Sequence, residues 1–249
     1  MKSAFSPEGM AALRAALRLH PLLAFDFDGT LAPIVARPDD AKVSVLTARR
    51  LTLLSRKYTV AIITGRSVAD VARRLHFTPQ YIVGNHGAED LQDARLPLWQ
   101  EALAGLRSRI ASQAASLATA GVQFEDKKFS IALHFRQAPD QARALQCIAD
   151  LLDPLEPGLT TVGGKCVVNV VVAGAPDKGD AVAALVRRSA AGAAIFVGDD
   201  VNDEAVFEKA PAHWMTVRVG REPAQTRAVF RLHSPREVST WLRTIMDEA

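Results

Sequence analysis

The sequence has few of the residues that mark secreted, membrane or metal-cluster proteins. Of its 249 residues only two are cysteines, and no Asn-x-Ser/Thr glycosylation site occurs. Cys147 and Cys166 are too few and too far apart for a zinc site or a disulfide framework. No apolar run is long enough for a transmembrane helix, and Glu8 and Arg14 interrupt the stretch that a signal peptide needs. We therefore expect a cytoplasmic protein with no membrane partner.

The sequence also lacks a strong excess of charge of either sign. It has 30 Lys and Arg against 27 Asp and Glu, a net charge of +3, and the basic residues do not form runs. This balance argues against a nucleic-acid partner but helps to attract a small anion. The length and the 49% of hydrophobic residues are typical of one large globular domain, or of one domain with a smaller unit. A monomer is expected.

Short apolar segments that end in polar residues or glycine alternate with helical patterns. The apolar segments cover 21–30, 58–65, 81–84 and 194–199, and apolar residues at helical spacing cover 7–20, 43–56, 67–76 and 178–188. A continuous apolar run is typical of a strand buried on both faces of a parallel sheet. Strand–helix alternation of this kind predicts an α/β fold with a doubly wound parallel core.

The middle of the chain has a different pattern. Helices are predicted over 98–120 and 139–152, and strands over 122–136 and 166–172. Apolar and polar residues alternate over 130–136, which is typical of a half-buried strand with one polar face in an antiparallel sheet. Because the parallel pattern resumes afterwards, we interpret 91–173 as an inserted α+β cap domain. The core is then formed by 1–90 and 174–249.

Four short motifs occur where predicted core strands end or a core helix begins. They are Asp26-x-Asp28-Gly-Thr30, Thr64-Gly-Arg66, Pro-Asp-Lys178-Gly and Gly-Asp199-Asp200-Val-Asn-Asp203. In a doubly wound sheet the carboxyl ends of the strands line one crevice, so the motifs are expected to converge there. A single Asp-x-Asp pair is often only a turn or a helix cap, but the ordered set indicates one site.

These residue types suit phosphoryl transfer from a monoester. Asp26 is the candidate nucleophile, which would form an aspartyl-phosphate. Asp28, on the same side of the strand, is the candidate acid for the leaving oxygen and base for water. Thr64 and Lys178 would bind the phosphoryl oxygens, because this reaction depends on positioning and charge neutralisation.

The same motifs predict a Mg²⁺ cofactor. Asp26, Asp28 and Asp199 are the candidate ligands, since Mg²⁺ binds through one or two carboxylates together with substrate phosphate. Asp200 and Asp203 would orient Lys178 or a metal-bound water from outside the ligand set.

The motifs resemble those of a known superfamily. Asp-Phe-Asp-Gly-Thr-Leu, Ile-Thr-Gly-Arg-Ser, Pro-Asp-Lys-Gly-Asp and Gly-Asp-Asp-Val-Asn-Asp are similar to the four motifs of haloacid dehalogenase phosphatases. Residues 84–89, 124–136 and 164–168 narrow the resemblance to trehalose-6-phosphate phosphatases. It extends from about Leu22 to Phe207 and implies a Rossmann-like core with an α/β cap. It also implies hydrolysis of trehalose 6-phosphate, a small sugar phosphate, to trehalose and phosphate.

The resemblance completes the set of candidate substrate-binding residues. These are Arg66, Asn85, His86, Glu125, Lys127, Arg136 and Asn169. It implies that Glu125 and Lys127 hold the distal glucose and that Arg136 reaches toward the phosphate. Asn169 stands where the family usually has a Glu that binds sugar hydroxyls. Asn still donates and accepts hydrogen bonds, but it is shorter and neutral, which puts the affinity or the exact substrate in question.

Some of these residues also have an ordinary structural interpretation. Glu125 and Lys127 can form a solvated cross-strand pair, and His86 can be a turn residue before glycine. Three other functions stay open: another capped sugar-phosphate phosphatase, acting on sucrose or a mannosyl phosphate, a phosphosugar mutase, and a non-catalytic phosphosugar-binding protein.

Overall fold

The computed structural model describes residues 1–164, 166–220 and 225–249. The chain divides into two compact units, which are described one at a time. The core unit is formed by Met1–Asp90 and Pro176–Ala249, and the inserted unit by Leu91–Ala175. Among the helices of these described residues, none combines the length and the apolar character that a membrane span requires.

The strands and helices follow one another along the chain with these bounds. The strands are β1 (Lys2–Ser3), β2 (Leu22–Phe25), β3 (Val60–Ile63), β4 (Tyr81–Gly84), β5 (Glu89–Asp90), β6 (Gln123–Asp126), β7 (Ser130–His134), β8 (Leu159–Gly164), β9 (Val167–Val172), β10 (Ala194–Gly198), β11 (Met215–Val219) and β12 (Phe230–Leu232). The helices are α1 (Pro7–Leu17), α2 (Val45–Leu54), α3 (Val68–Ala72), α4 (Leu96–Ala102), α5 (Ala104–Ser112), α6 (Ala114–Thr119), α7 (Gln141–Leu151), α8 (Lys178–Arg188), α9 (Glu204–Lys209) and α10 (Pro235–Glu248).

The core unit is built on an eight-stranded sheet of order β1-β12-β11-β10-β2-β3-β4-β5. Every neighbouring pair is parallel except β4 and β5. In the centre, Phe25 of β2 pairs with Val197 of β10 on one side and with Ile62 of β3 on the other. The strands β10, β2 and β3 therefore end at the same edge, and this edge carries the site.

Helices cover both faces of this sheet. Successive residues of a strand point to opposite faces. Leu23 and Phe25 pack in a cluster with residues of α1, α2, α3 and α10, whereas Leu22 and Ala24 pack in a second cluster with residues of α8 and α9. The prediction of an α/β fold with a doubly wound parallel core is confirmed.

A capping box fixes the start of the helix that carries Lys178. The Asp177 side chain accepts a hydrogen bond from the backbone N–H of Asp180, and the Asp180 side chain accepts one from the backbone N–H of Asp177. Two otherwise unpaired donors of the first turn are thereby satisfied. Lys178 is the first residue of α8, and its side chain is buried.

The inserted unit contains an antiparallel four-stranded sheet of order β6-β7-β9-β8. Apolar residues of the two central strands, such as Ile131, Leu133 and Val170, pack in one cluster with Leu106 of α5 and Ile148 of α7. β6 and β8 are the edge strands, and all four residues of β6 are exposed.

The structure differs from the predicted elements of the inserted unit in two places. The helix predicted over 98–120 is three helices, α4 to α6, which are interrupted at Leu103 and Gln113; the backbone of Gln113 lies outside the helical region, and no side chain caps α5 or α6. The polar face predicted for β7 is also wrong in part. Ser130 and Ala132 are as buried as Ile131, since β7 is a central strand and not an edge.

Candidate active site

The site is assembled from the ends of three neighbouring strands. Asp26 follows β2, Thr64 follows β3 and Asp199 follows β10. The backbone N–H of Asp26 still donates to the carbonyl of Val197 at 2.9 Å, so the two strands stay paired up to the site. The parallel order therefore brings together side chains that lie far apart in the sequence, as expected for the carboxyl edge of a doubly wound sheet.

A lysine and three carboxylates form one group at this edge. The Nζ of Lys178 donates to Asp203 Oδ1 at 2.7 Å and lies 3.0 Å from Asp26 Oδ1. One oxygen each of Asp26, Asp199 and Asp203 lies within 4.8 Å of the other two. Asp26, Lys178 and Asp203 are buried, and Asp199 is half-buried. The group combines hard oxygen donors with a fixed positive charge.

Residues 29 and 30 hold the Asp199 carboxylate. The Oγ1 of Thr30 donates to Asp199 Oδ1 at 3.0 Å. Gly29 has a φ of +79°, and a Cβ at this position would lie 2.1 Å from Asp199 Oδ2. Only glycine combines this backbone conformation with so close an approach. The Asp-x-Asp-Gly-Thr motif thus forms a cradle for a carboxylate from another strand.

The carboxylates of this group are hard to ionise together. Burial raises the pKa of Asp26 well above its ordinary value, and the nearby Asp203 and Asp199 carboxylates raise it further, against the effect of Lys178. Burial, and then the charge of Asp203, raises the pKa of Asp199 to about 7. Burial alone would lower the pKa of Lys178, but Asp203 and Asp26 outweigh it, and this pKa lies above its ordinary value. The group carries more negative charge than one lysine balances.

Asp28 lies outside this group because an arginine holds it. The Nε and Nη2 of Arg66 donate to the two carboxylate oxygens of Asp28 at 2.7 and 2.8 Å. The Nη1 of Arg66 donates to Asp70 at 2.8 Å, and Asp70 also accepts from Arg74 at 2.7 Å. The acidic group in the described residues therefore contains Asp203 in addition to Asp26 and Asp199, whereas the predicted ligand set contains Asp28.

The remaining predicted residues of the core unit belong to two connected turns. Thr64 is fully buried, and its Oγ1 accepts from the backbone N–H of Arg66 at 3.2 Å. Asn85 is buried, and its amide donates to Glu89 at 2.7 Å. His86 has a φ of 58°, and its backbone N–H donates to the carbonyl of Thr64 at 2.9 Å. These contacts give Asn85 and His86 a part in the turn itself.

Asp200 and Asp203 have different surroundings. Asp203 contacts Lys178 directly, as described above. The side chain of Asp200 instead accepts from the backbone N–H of Asp203, and the Asp203 side chain accepts from the backbone N–H of Asp200 at 2.9 Å. This reciprocal cap closes the 3-10 turn Val201–Asp203.

The predicted sugar-binding residues of the inserted unit lie on its antiparallel sheet. Glu125 of β6 pairs in register with Ala132, and Ala132 pairs with Asn169 of β9. These three residues therefore share one face. Asn169 is buried, and its amide donates to the carbonyl of Val162 at 3.4 Å. Arg136 lies two residues beyond β7 and is exposed.

The proposed cross-strand pair of Glu125 and Lys127 has a different geometry from that predicted. The two side chains belong to the end of one strand, and the Lys127 Nζ lies 3.8 Å from a Glu125 oxygen. The side chain that Glu125 contacts across the strands is that of His134, the register partner of Gln123, and the His134 Nε2 lies 2.9 Å from the same oxygen. Residues 164–168 resemble the family, and Lys165 within this stretch lies outside the described residues.

Sequence reasoning missed three residues that contact the side chains or the backbone of the motifs. Thr30 of the first motif contacts Asp199, and Asp70 of α3 contacts Arg66, which lies four residues earlier in the sequence. Arg218 interrupts an apolar run in β11 and is buried. Its Nη2 donates to the backbone carbonyl of Asp199 at 2.7 Å. A charged residue inside an apolar strand was the available signal.

The fold defines the class of this protein: a doubly wound α/β core with an α+β insertion, the fold also found in a phosphatase of the haloalkanoate (HAD) enzyme superfamily from Bacteroides thetaiotaomicron, with a TM-score of 0.58 at 16% identity and 92% of this chain covered. Within this class, the chain belongs to the trehalose-phosphatase family, whose model matches residues 24–229.

Individual relatives agree with this family. The chain is 31% identical over 237 residues to the trehalose-6-phosphate phosphatase of Escherichia coli K12, covering 89% of this chain and 85% of that protein. It is 29% identical over 253 residues to the trehalose-phosphate phosphatase of Mycobacterium marinum, covering 94% of this chain but only 62% of the length of that relative. The C-terminal domain of Candida albicans trehalose-6-phosphate phosphatase has the same fold, with a TM-score of 0.76 at 24% identity and 96% of each chain covered.

Proposed function

We propose that this protein is a Mg²⁺-dependent phosphatase that hydrolyses trehalose 6-phosphate to trehalose and phosphate. The observation that carries the proposal is the group of Asp26, Asp199 and Asp203 around Lys178 at the carboxyl edge of the sheet. Phosphoryl transfer needs a nucleophile, positive charge for the phosphoryl oxygens and a site for a cation, and this group contains a candidate for each. The family and the E. coli relative support trehalose 6-phosphate as the substrate.

The residues present suit a magnesium ion. Carboxylate oxygens are the ligands that this hard cation prefers, and the three aspartates offer one oxygen each within 4.8 Å of one another. Burial and like charge raise the pKa values of Asp26 and Asp199, a cost that a bound divalent cation relieves. Asp26, Asp199 and Asp203 would hold the ion. When bound, Mg²⁺ neutralises charge on the phosphate and makes it more accessible to a carboxylate.

In the first half of the proposed reaction, a carboxylate oxygen of Asp26 attacks the phosphorus. The bond between phosphorus and the sugar oxygen breaks, and the sugar oxygen takes a proton from Asp28. Lys178 holds the Asp26 carboxylate in place and offers its charge to the phosphoryl oxygens. In the second half, Asp28 accepts a proton from water as the water oxygen attacks the phosphorus, and Asp26 is released as a free carboxylate.

The contact between Asp28 and Arg66 sets a condition on this mechanism. Both carboxylate oxygens of Asp28 accept hydrogen bonds from one guanidinium, so neither oxygen is available to the leaving group while this contact lasts. Before it can donate a proton, Asp28 has to exchange Arg66 for the leaving oxygen. The Nε and Nη2 groups of Arg66 already donate to one anion, the Asp28 carboxylate, which is consistent with its proposed place among the substrate-binding residues.

The inserted unit supplies the proposed sugar-binding surface. Glu125 and Asn169 lie in one row across its sheet, with the small Ala132 between them. Carboxylate and amide groups spaced along one face suit hydrogen bonds to sugar hydroxyls. We include Lys127 and Arg136 in this surface because of the family resemblance, and we propose that the unit determines substrate specificity.

All groups of the proposed site come from one chain, so the proposal requires only a monomer. Both cysteines are free thiols, which is consistent with a reducing cytoplasm.

The test is phosphate release from purified protein, measured with and without Mg²⁺. The panel contains trehalose 6-phosphate, sucrose 6-phosphate, glucose 6-phosphate and a mannosyl phosphate. Asp26→Asn should reduce turnover by about 10⁴-fold or more, while Asp247→Asn, which changes an exposed aspartate, should leave it unchanged. After an acid quench, the wild type should carry phosphate that hydroxylamine releases, as expected of an acyl phosphate.

The panel also separates the alternatives. Retained turnover in Asp26→Asn would refute the nucleophile, and faster release from another sugar phosphate would refute the substrate. A mutase would release little phosphate from any of them. Tight binding without hydrolysis would identify a phosphosugar-binding protein.

A further inference from the structure

Arg218 contacts the main chain that carries Asp199. It lies on β11 and pairs in register with Gly198, the last residue of β10. Its Nη2 donates to the carbonyl of Asp199 at 2.7 Å, and its Nη1 lies 3.2 Å from the carbonyl of Asp200. One guanidinium therefore spans two consecutive peptide groups at the point where the chain leaves the sheet. A planar group with several fixed donors holds such a pair of acceptors in one orientation.

Glu204 fixes the guanidinium from its other side. Its Oε1 accepts from Arg218 Nη1 at 2.9 Å and from Thr226 Oγ1 at 2.7 Å, and its Oε2 accepts from the backbone N–H of Arg227 at 2.9 Å. Two of these three donors belong to a later segment of the chain, so Glu204 is anchored independently of Arg218. The ion pair gives the guanidinium one position instead of a range of rotamers.

The burial of Arg218 has a cost that its strand does not explain. The residue is 7% exposed in a strand whose five residues are all buried. Its Nε is buried and, within the part of the chain that is described, has no hydrogen-bond partner. A buried N–H without an acceptor is unfavourable. An apolar residue would fill this place in the strand without that cost. The benefit of an arginine therefore lies in the carbonyl groups to which its guanidinium donates.

The guanidinium donates to carbonyls and leaves the Asp199 carboxylate to other partners. Asp199 Oδ1 accepts from Thr30, and its carboxylate faces Asp26 and Asp203. An arginine that paired with the carboxylate itself would compete with a cation for the same oxygens. Arg218 instead restrains the backbone from which both Asp199 and Asp203 project, since the turn Val201–Asp203 follows directly.

We propose that Arg218, held by Glu204, is a positioning residue for Mg²⁺ binding. It fixes the two carbonyls after β10, and through them the directions in which Asp199 and Asp203 meet Asp26. The inference rests on the proposed function. Loss of a residue that orients metal ligands typically reduces metal affinity about 10–100-fold, and this is the effect we expect here.

The experiment measures Mg²⁺ binding to the substrate-free protein by titration calorimetry. In Arg218→Lys, one ammonium group cannot reproduce the contacts to two carbonyls and Glu204, so the Kd for Mg²⁺ should rise about 10–100-fold. The Mg²⁺ concentration for half-maximal hydrolysis should rise by the same factor, with kcat largely recovered at saturating Mg²⁺. Glu204→Gln keeps the size and an acceptor oxygen, and its Kd should rise less.

A matched control separates positioning from general stability. Arg109 of the inserted unit makes the same kind of contacts, to the carbonyl of Pro154 at 2.6 Å and to Glu156 at 2.7 Å. Arg109→Lys should lower the Tm of the metal-free protein without changing the Kd for Mg²⁺.

The outcomes distinguish this inference from the proposed function. A Kd within about twofold of the wild type in both Arg218→Lys and Glu204→Gln would overturn the inference. If Arg218→Lys does not fold, Glu204→Gln decides alone. If the wild type binds Mg²⁺ and the variants weaken that binding, but no sugar phosphate is hydrolysed, the proposed function fails and the positioning role stands.

Discussion

The core unit and the inserted unit hold their charged side chains under different conditions. In the core unit, the charged atoms of Lys178 and Asp203 lie 2.7 Å apart, and both side chains are at most 2% exposed. In the inserted unit, Lys127 lies 3.8 Å from Glu125, whose side chain is 51% exposed. The Lys127 side chain is 11% exposed, so water reaches this pair mainly through the glutamate, whereas it reaches neither member of the first pair. A lysine–carboxylate pair therefore has different consequences in the two units.

This difference indicates what each unit can do with its charges. A buried lysine with several carboxylates depends on each partner, because removing one leaves the others uncompensated. Such a group is suited to a reaction that needs fixed positions. A half-exposed glutamate with two neighbours can exchange them for a ligand at little cost. We therefore expect changes in the core unit to affect stability and chemistry together, and changes in the inserted unit to affect mainly substrate affinity.

The largest expected effect comes from removing the lysine of each pair. Lys178→Met leaves three neighbouring carboxylates without their positive partner, and we expect the free energy of unfolding to fall by about 3–5 kcal/mol. Lys127→Met should cost less than about 1 kcal/mol. Urea unfolding of the metal-free proteins at pH 7 measures both. Equal losses would show that burial does not distinguish the two pairs.

A glycine in each unit gives a second comparison, with a smaller effect on stability. Gly29 and Gly174 have similar φ values of +79° and +76°, but only at Gly29 would a Cβ meet another atom, Asp199 Oδ2 at 2.1 Å. Gly174→Ala should cost about 1–2 kcal/mol of backbone strain. Gly29→Ala should add about 1–3 kcal/mol for the displaced carboxylate.

Mg²⁺ binding and turnover give the sharper measurement for this pair of variants. Gly29→Ala should weaken both, because the carboxylate that is displaced belongs to the proposed ligand set. Gly174→Ala should change neither. Unchanged Mg²⁺ affinity in Gly29→Ala would contradict the cradle that residues 29 and 30 form.

The sequence predicted the core unit better than the inserted unit for a physical reason. In β2, β3 and β10 all residues are buried, so each strand is a continuous apolar run, and a polar residue (Asp26, Thr64 or Asp199) follows directly. The position of the chemistry follows from those ends. In the inserted unit, Ser130 and Ala132 are buried although their alternation with Ile131 resembles a polar face. Their burial depends on the position of β7 between β6 and β9, and the alternation of apolar and polar residues does not predict the order of strands.

Contacts between distant segments account for what was missed in the core unit. The sequence identifies Arg66 as a motif residue. It does not predict that Arg66 donates to Asp28 and Asp70, because these contacts depend on side-chain geometry. The contact of Arg218 with the carbonyl of Asp199 depends on β11, an element that periodicity did not detect. The motifs therefore located the site, whereas the contacts that support its side chains became evident only from the folded structure.

The smallest expected effect is a difference in acid sensitivity between Asp70 of the core unit and Asp126 of the inserted unit. Burial opposes ionisation of Asp70, but hydrogen bonds from Arg74 and Arg66 outweigh it and lower its pKa to about 2. A hydrogen bond from Arg107 lowers the pKa of Asp126 in the same direction. Since both folded-state values lie below the unfolded value of about 4, each carboxylate contributes stability that is present above pH 4. For Asp70 this contribution is lost as the pH falls toward 2.

The measurement compares each wild-type aspartate with its asparagine variant by urea unfolding between pH 7 and the lowest pH of reversible folding. The difference in unfolding free energy between the wild type and Asp70→Asn should be constant down to about pH 5 and shrink below about pH 4. Asp126→Asn should show a smaller difference with the same sign, because one arginine holds Asp126 whereas Arg66, Arg73 and Arg74 all donate to Asp70. A larger acid-dependent difference for Asp126 would mean that the arginines around Asp70 do not stabilise α3, the helix that carries Asp70.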